Sequence, residues 1–210
     1  MSNTDTTTTA SASASASASA SASASAILFL DIDDVLCLNR TYGGYDVIRA
    51  ISGVHPSPEA VYREVFDERA CAVLTNLHGA MNGNLQYVIS STWREAFDYE
   101  QMREVFRRGG LGFVARALHE QWRTPIRFEG SMRASDIAEW LDTFHRGEPF
   151  AIVDDTYSGP SLMSALAKPA HPFHGRVVLC QENVGLLPEH AETLLSALHR
   201  PVDVTPGSEQ

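Results

Sequence analysis

The sequence predicts an α/β protein with a Rossmann-like parallel sheet and helices on both faces. Short apolar runs, typical of strands that are buried on both faces, begin at Ile27, Leu85 and Phe150. Segments with apolar residues at helical spacing lie between these runs, and strands that alternate with helices form parallel sheets. Three of the runs also end in acids or hydroxyls, which is where open parallel sheets bind their ligands.

The first 26 residues precede the predicted fold. Ser and Ala alternate strictly from Ser11 to Ala26, so this stretch has no large apolar side chain that could offset its ordering entropy. We therefore predict a disordered Ser/Ala low-complexity tail at 1–26, a single domain at 27–203 and a C-terminal tail at 204–210. The tail lacks the basic start and apolar core of a signal peptide. No later segment approaches the ~20 apolar residues of a membrane span, so no membrane partner is expected.

The predicted elements begin with a strand over 27–32. Residues 39–65 are rich in Gly, Pro and Tyr, and we expect a flap or loop insertion there that is too short for a large cap domain. The other predicted strands are 85–91, 126–128, 150–155 and 176–180. The predicted helices are 67–81, 95–108, 111–121, 134–145 and 188–199.

The net charge and the cysteine content limit the functions and cellular locations that the sequence allows. The net charge of -10 argues against a protein that coats nucleic acid. The segment from Arg94 to Arg133 nevertheless carries eight arginines against six acids, which is either an ordinary helix surface or a cluster near an anionic substrate. Cys37, Cys71 and Cys180 are odd in number and far apart, which indicates reduced thiols and a cytoplasmic location.

Acids and hydroxyls follow three of the predicted strands. They are Asp31 and Asp33, Ser90 and Ser91, and Asp154 and Asp155. Because parallel strands bring their carboxyl ends to one edge, we expect these side chains to converge. Several carboxylates at one place repel one another unless a cation is present. Carboxylate oxygens, together with a phosphate, are ligands that suit Mg²⁺.

These strand ends resemble those of the haloacid dehalogenase (HAD) superfamily of phosphatases. The resemblance spans about 27–200 and is carried by 27-ILFLDIDDVL-36, 87-YVISS-91, Arg133 and 151-AIVDD-155. Further stretches are similar to the HAD-like domain of Swiss army knife RNA repair proteins: 89-ISSTWR-94, 121-QWRTP-125, 133-RASDIAEWL-141 and 181-QENVGL-186. The resemblance implies a HAD-like fold and a Mg²⁺-dependent phosphatase that forms an aspartyl-phosphate.

The resemblance also implies roles for the acids. Asp31 would be the nucleophile, and Asp33 would protonate the leaving oxygen and later activate water. Asp31, the backbone carbonyl of Asp33, Asp154 and Asp155 would hold the Mg²⁺, with Asp155 favoured as a direct ligand. Asp34 stands where relatives often have Gly, and its side chain is expected to point away from the site.

The phosphate contacts implied by the resemblance involve hydroxyls and arginines. Ser90 is the favoured phosphate-binding hydroxyl and Ser91 is the alternative in register. Arg133 would take the place of the Lys found in relatives, with Arg127 as the alternative, because an Arg can bind phosphate bidentately. Arg94 would either contact the substrate phosphate or pair with a nearby acid such as Asp98.

The expected substrate is a nucleotide, a nucleic-acid end or a small phosphate ester. Two other functions fit the same residues. One is a phosphotransferase that passes the phosphoryl group to an acceptor other than water. The other is a catalytically inactive module that keeps the fold for binding or regulation.

Overall fold

The computed structural model describes residues 25–126 and 132–202. The strands in these residues are β1 (Ala26–Leu30), β2 (Leu85–Ile89), β3 (Leu118–Arg123), β4 (Phe150–Asp155) and β5 (Val177–Cys180). The helices are α1 (Gly44–Ile51), α2 (Pro58–Glu64), α3 (Glu68–Ala80), α4 (Trp93–Ala96), α5 (Tyr99–Arg108), α6 (Gly112–Arg116), α7 (Arg133–Phe144), α8 (Met163–Ala167) and α9 (His190–His199). A 3₁₀ turn at Pro160–Leu162 precedes α8.

The strands form one parallel sheet in the order β3-β2-β1-β4-β5. The central strand β1 ends level with both neighbours, since Leu30 is opposite Ile89 of β2 and Val153 of β4. The three strand ends that carry the acids and hydroxyls therefore lie side by side. The predicted α/β class and its parallel sheet are confirmed.

Helices cover both faces of the sheet because alternate residues of β1 face opposite sides. Leu28 and Leu30 belong to the core cluster that includes side chains of α3, α5 and α9. Ile27 and Phe29 belong to a second cluster, in which Trp140 of α7 meets Phe29 edge to face at 5.2 Å between ring centroids. Burying each such side chain stabilises the fold by roughly 1.5–3 kcal/mol.

The insertion at 39–65 contains two short helices, so the expectation of an irregular loop there is wrong, whereas its role as a flap stays a prediction. Gly43 is the N-cap of α1, and its backbone N–H donates to Asp46 Oδ2 at 3.0 Å. Pro58 is the first residue of α2. Gly and Pro interrupt helices, but they also occur at helix starts, where extended backbone or a missing N–H costs little. Two helices of eight and seven residues are still far from a large cap domain.

The predicted helix over 111–121 is wrong in its second half. Helix α6 ends at Arg116, and Leu118–Arg123 is the edge strand β3, which pairs with β2. Only Leu118 and Trp122 of this strand are buried, so its sequence lacks the apolar run of a central strand. The predicted strand at 126–128 falls largely outside the described residues, and Ile126 itself is not in a strand.

The predicted terminal tails lie mostly outside the described residues. Residues 1–24 and 203–210 are not described, and Ala26, assigned to the tail, is the first residue of β1. Between residues 25 and 202, apart from 127–131, no helix combines the length and apolar character that a membrane crossing requires.

Candidate active site

Three carboxylates converge where β1 and β4 end. Asp31 follows β1 directly and its backbone N–H donates to Val153 O at 3.0 Å, which extends the ladder by one residue. Asp154 and Asp155 are the last two residues of β4. One carboxylate oxygen from each of the three acids lies within 4.8 Å of the others, and all three side chains are buried. The predicted convergence of Asp31, Asp154 and Asp155 is therefore present in the fold.

Arg133 is a cation in direct contact with these acids. It is the first residue of α7 and is buried, and its NH2 donates to Asp31 Oδ1 at 3.1 Å. Its Nε lies 3.3 Å from Asp154 Oδ2. One guanidinium does not balance three carboxylates. Burial raises the pKa of Asp31 well above 3.8. Repulsion from Asp154 adds to this rise, and Arg133 opposes it. Burial likewise raises the pKa of Asp154 to about 7.

Each acid of the cluster has one oxygen without a hydrogen bond to any described residue. Asp154 Oδ1 accepts from the Asp155 backbone N–H at 2.9 Å, and Asp155 Oδ1 accepts from Tyr157 and Ser158 N–H groups at 2.6 and 2.8 Å. Within the described part of the chain, the Oδ2 atoms of Asp31, Asp154 and Asp155 are buried and have no hydrogen-bond partner. Three buried carboxylate oxygens that accept no hydrogen bond from the described residues are a set of ligands that fits a hard divalent cation such as Mg²⁺.

Asp33 lies outside this three-acid cluster and is held by donors of its own. Trp93 Nε1 donates to Asp33 Oδ2 at 3.0 Å, and Thr92 Oγ1 donates to the same oxygen at 3.4 Å. Asn39 Nδ2 donates to Oδ1 at 3.4 Å. Burial raises the pKa of Asp33, and these hydrogen bonds oppose the rise. The side chain is thus fixed in one orientation at the border between the acid cluster and the surface.

The two serines after β2 have different surroundings. The Ser90 hydroxyl is buried, and no hydrogen-bond partner for it is found at residues 25–126 or 132–202. Ser91 Oγ accepts from the Trp93 backbone N–H at 3.4 Å. An unpartnered buried hydroxyl is costly unless a ligand meets it. Ser90 is thus the serine whose buried hydroxyl has no partner among the described residues, whereas Ser91 Oγ accepts one hydrogen bond.

Residues 27–191 match a protein-family model described as the HAD domain in Swiss Army Knife RNA repair proteins. The chain belongs to this family. No curated protein and no solved structure matches it. The predicted family is thereby confirmed, and membership indicates a phosphatase-type hydrolase.

The contacts that Arg94 makes in this HAD domain differ from the predicted contact with a substrate phosphate. Its guanidinium is fully buried, with NH1 donating to Ser91 O at 2.7 Å and NH2 to Asp136 Oδ2 at 3.0 Å. Nε and NH2 also donate to Pro125 O, at 3.4 and 3.2 Å. Among the described residues Arg94 pairs with an acid, as the alternative prediction had it, but that acid is Asp136, one turn after Arg133 in α7, and not Asp98. Arg94 thus joins the loops after β2 and β3 to the start of α7, and the structure does not support its assignment to the substrate.

Asp34 points away from the acid cluster of the HAD domain, in agreement with the prediction. Its backbone has φ of 55°, and its Oδ1 accepts from the Asn183 backbone N–H at 2.7 Å. Short polar residues tolerate this left-handed conformation. Arg127, the alternative to Arg133, lies outside the described residues.

Some residues that shape this site are not apparent from the sequence. The pattern around Trp93 favours a packing role, yet its indole N–H holds Asp33, and Asn39 and Thr92 assist it. A Cβ at Gly159 would lie 2.7 Å from Asp155 O and 3.2 Å from Asp154 Oδ1, so only Gly fits behind the paired acids. The position of Gly159, four residues after Asp155, is the one sequence signal that points to it.

Proposed function

We propose that this HAD domain is a Mg²⁺-dependent phosphatase that forms an aspartyl-phosphate on Asp31. The observation that carries the proposal is the set of three buried carboxylates, each with an oxygen that lacks a hydrogen bond in the described residues, beside Arg133. A structural role would not need acids that repel one another in the interior. A site for a divalent cation and a phosphate does need them.

Asp31, Asp154 and Asp155 would hold the cation with their side chains, and Asp33 with its backbone carbonyl. A bound Mg²⁺ would offset the charge of the acids and of the substrate phosphate. Asp31 Oδ1 is oriented by Arg133, whereas Oδ2 is unpartnered among the described residues. These contacts hold the carboxylate at the end of β1 with one oxygen available for reaction.

In the first step a carboxylate oxygen of Asp31 attacks phosphorus, and the ester P–O bond breaks. Asp33 gives its proton to the leaving oxygen. In the second step Asp33 takes a proton from water as the water oxygen attacks phosphorus. The Asp31 O–P bond then breaks and phosphate leaves. Asp33 ends the cycle protonated, as it began, and Asp31 is again a carboxylate.

Ser90 and Arg133 would bind the phosphate. The Ser90 hydroxyl has no partner within the described residues, and Arg133 NH1 and Nε likewise lack a hydrogen bond there. An arginine stays protonated at physiological pH, so it would balance charge through both steps without exchanging a proton. This supports Arg133 in the place of the Lys found in relatives.

The substrate class is a nucleotide, a nucleic-acid end or a small phosphate ester. A cytoplasmic location is part of the proposal. The described residues include the three cysteines, all of which have free thiols, and this supports a reducing compartment.

Hydrolysis of p-nitrophenyl phosphate tests the proposal. Turnover should require Mg²⁺ and should be lost in Asp31→Asn, whereas the matched control Asp34→Asn, which removes a carboxylate outside the acid cluster, should retain it. Asn keeps the acceptor oxygen for the Asn183 N–H and tolerates the left-handed backbone at position 34. Circular dichroism would verify that both variants fold. Undiminished turnover in folded Asp31→Asn would refute the mechanism.

A further inference from the structure

A cavity of ≈ 600 Å³ opens beside Asp33, and none of the three clustered acids lines it. One wall is α1 of the insertion, which contributes Tyr45 and Ile48. Another wall is α4 and the residue after it, which contribute Trp93 and Phe97. A group bonded to a phosphate that reacts at Asp31, and whose oxygen meets Asp33, would extend into this space.

The cavity lining combines polar side chains, among them Asn39 and Thr92, with an exposed apolar face of α1. Tyr45 is 72% exposed and Ile48 is 39% exposed, although both are large and apolar. They are three residues apart in α1 and therefore share a face of the helix. Trp93 and Phe97 pack together at 5.6 Å between ring centroids on the other wall. Trp93 and Phe97 are each only 3% exposed, so a flat ring would lie chiefly against Tyr45 and Ile48.

The charge of the lining excludes a polyanion. Asp33 and Glu95 line the cavity, and among the described residues no Arg, Lys or His does so. Arg49, on the same helix as Tyr45, lies over the Tyr45 ring at 6.0 Å from its centroid and is not part of the lining. Proteins that hold polynucleotides place basic side chains along the backbone phosphates. Here a second phosphate would meet acids instead.

Helix α1 also contacts the group that orients Asp33. A Cβ at Gly44 would lie only 3.0 Å from Trp93 Nε1, so the helix start packs directly on the indole that donates to Asp33. The wall of the cavity and the orientation of Asp33 are therefore set by the same contact.

We propose that this cavity receives the leaving group of the substrate, and that the leaving group is the uncharged ring system of a small phosphate monoester. A nucleoside monophosphate is the class that fits, rather than the phosphorylated end of a polynucleotide. This inference rests on the proposed function, because it takes Asp33 as the residue that meets the leaving oxygen.

The test compares substrates and cavity variants in the full chain. The substrates are adenosine 5′-monophosphate, phenyl phosphate, glycerol phosphate and a 5′-phosphorylated oligonucleotide. In Tyr45→Ala, kcat/KM for the two ring-bearing monoesters should fall by about 5- to 100-fold, the range expected for loss of one aromatic stacking contact. The loss for glycerol phosphate should be much smaller, and Tyr45→Phe, which keeps the ring, should lose far less than Tyr45→Ala. Val54→Ala, an exposed apolar position of the same insertion outside the cavity, should change nothing.

Binding of adenosine, measured by calorimetry, separates the two proposals because it needs no chemistry. Adenosine should bind the wild-type protein and bind more weakly to Tyr45→Ala. Such binding without hydrolysis of any ester would refute the proposed function and the leaving-group role with it, and would leave the cavity as a binding site for a ring only. If Asp31-dependent hydrolysis of every substrate is as fast in Tyr45→Ala as in wild-type protein, the inference is wrong and the proposed function stands. The same conclusion follows if the oligonucleotide is hydrolysed faster than the mononucleotide.

Discussion

Removal of one acid from the cluster should change how stability depends on pH in metal-free protein. A carboxylate with a raised pKa binds more protons in the folded state than in the unfolded chain, so stability falls as pH rises between the two pKa values. For Asp154 these pKa values are 3.8 and about 7. At 1.36 kcal/mol for each pKa unit, the part of this range above pH 5 corresponds to roughly 3 kcal/mol from Asp154 alone.

Asp154→Asn removes that titration and keeps the Oδ1 acceptor for the Asp155 N–H. In EDTA, the urea-derived free energy of unfolding of wild-type protein should fall by about 3 kcal/mol between pH 5 and pH 7.5, and clearly less in the variant. Mg²⁺ at 100 times its Kd should then stabilise wild-type protein by about 2.7 kcal/mol at pH 7.5. The variant should gain much less, because an amide replaces one ligand.

Asp34→Asn is the matched control, since it removes a carboxylate of the stretch after β1 that lies outside the cluster. It should keep both the pH profile and the Mg²⁺ response of the wild-type protein. Parallel pH profiles of wild-type protein and Asp154→Asn in EDTA, or equal gains from Mg²⁺, would refute the assignment of the cluster as a cation site.

The other predictions concern the residues around the acids. Ser90→Ala should lower kcat/KM for p-nitrophenyl phosphate by about 10- to 100-fold, the loss expected for a hydrogen bond to a charged group. Ser91→Ala should have a smaller effect, because Ser90 is the serine whose buried hydroxyl has no partner among the described residues. Arg133→Ala should abolish turnover and Arg133→Lys should retain part of it, as measured by steady-state kinetics; equal activity of the two would contradict a charge role. Arg94→Ala should cost about 3–5 kcal/mol of unfolding free energy in urea titrations, because the buried ion pair between Arg94 and Asp136 is broken. The double variant Arg94→Met/Asp136→Leu should recover much of that loss, and failure of this recovery would argue against the ion pair as the cause.

The sequence predicts the central strands and the acid cluster well for a physical reason. Strands buried on both faces must be continuous apolar runs, and acids that end such runs have no structural use in an apolar interior. Asp31, Asp154 and Asp155 therefore stand out in the sequence alone. Their convergence follows from the parallel order of the strands that carry them.

The wrongly predicted elements depend on tertiary contacts. The edge strand β3 buries only Leu118 and Trp122, so its pattern resembles that of a helix unless its pairing with β2 is taken into account. The helices of the insertion begin after the N-cap Gly43 and at Pro58, and Gly and Pro favour loops in isolation. Of the two roles expected for Arg94, the contact with the substrate phosphate is suggested by its closeness to Ser90. The acid with which it pairs, Asp136, is 42 residues further along the chain and is not apparent from the sequence.

The central position of β1 also has a consequence for synthesis of the chain. Asp31 leaves the ribosome more than a hundred residues before Asp154. At about 5–20 residues per second, that interval is roughly 6–25 s. Throughout it, the edge of β1 that later pairs with β4 has no native partner, and an unpaired apolar strand edge promotes aggregation. We therefore expect the nascent chain to depend on chaperones until β4 has emerged.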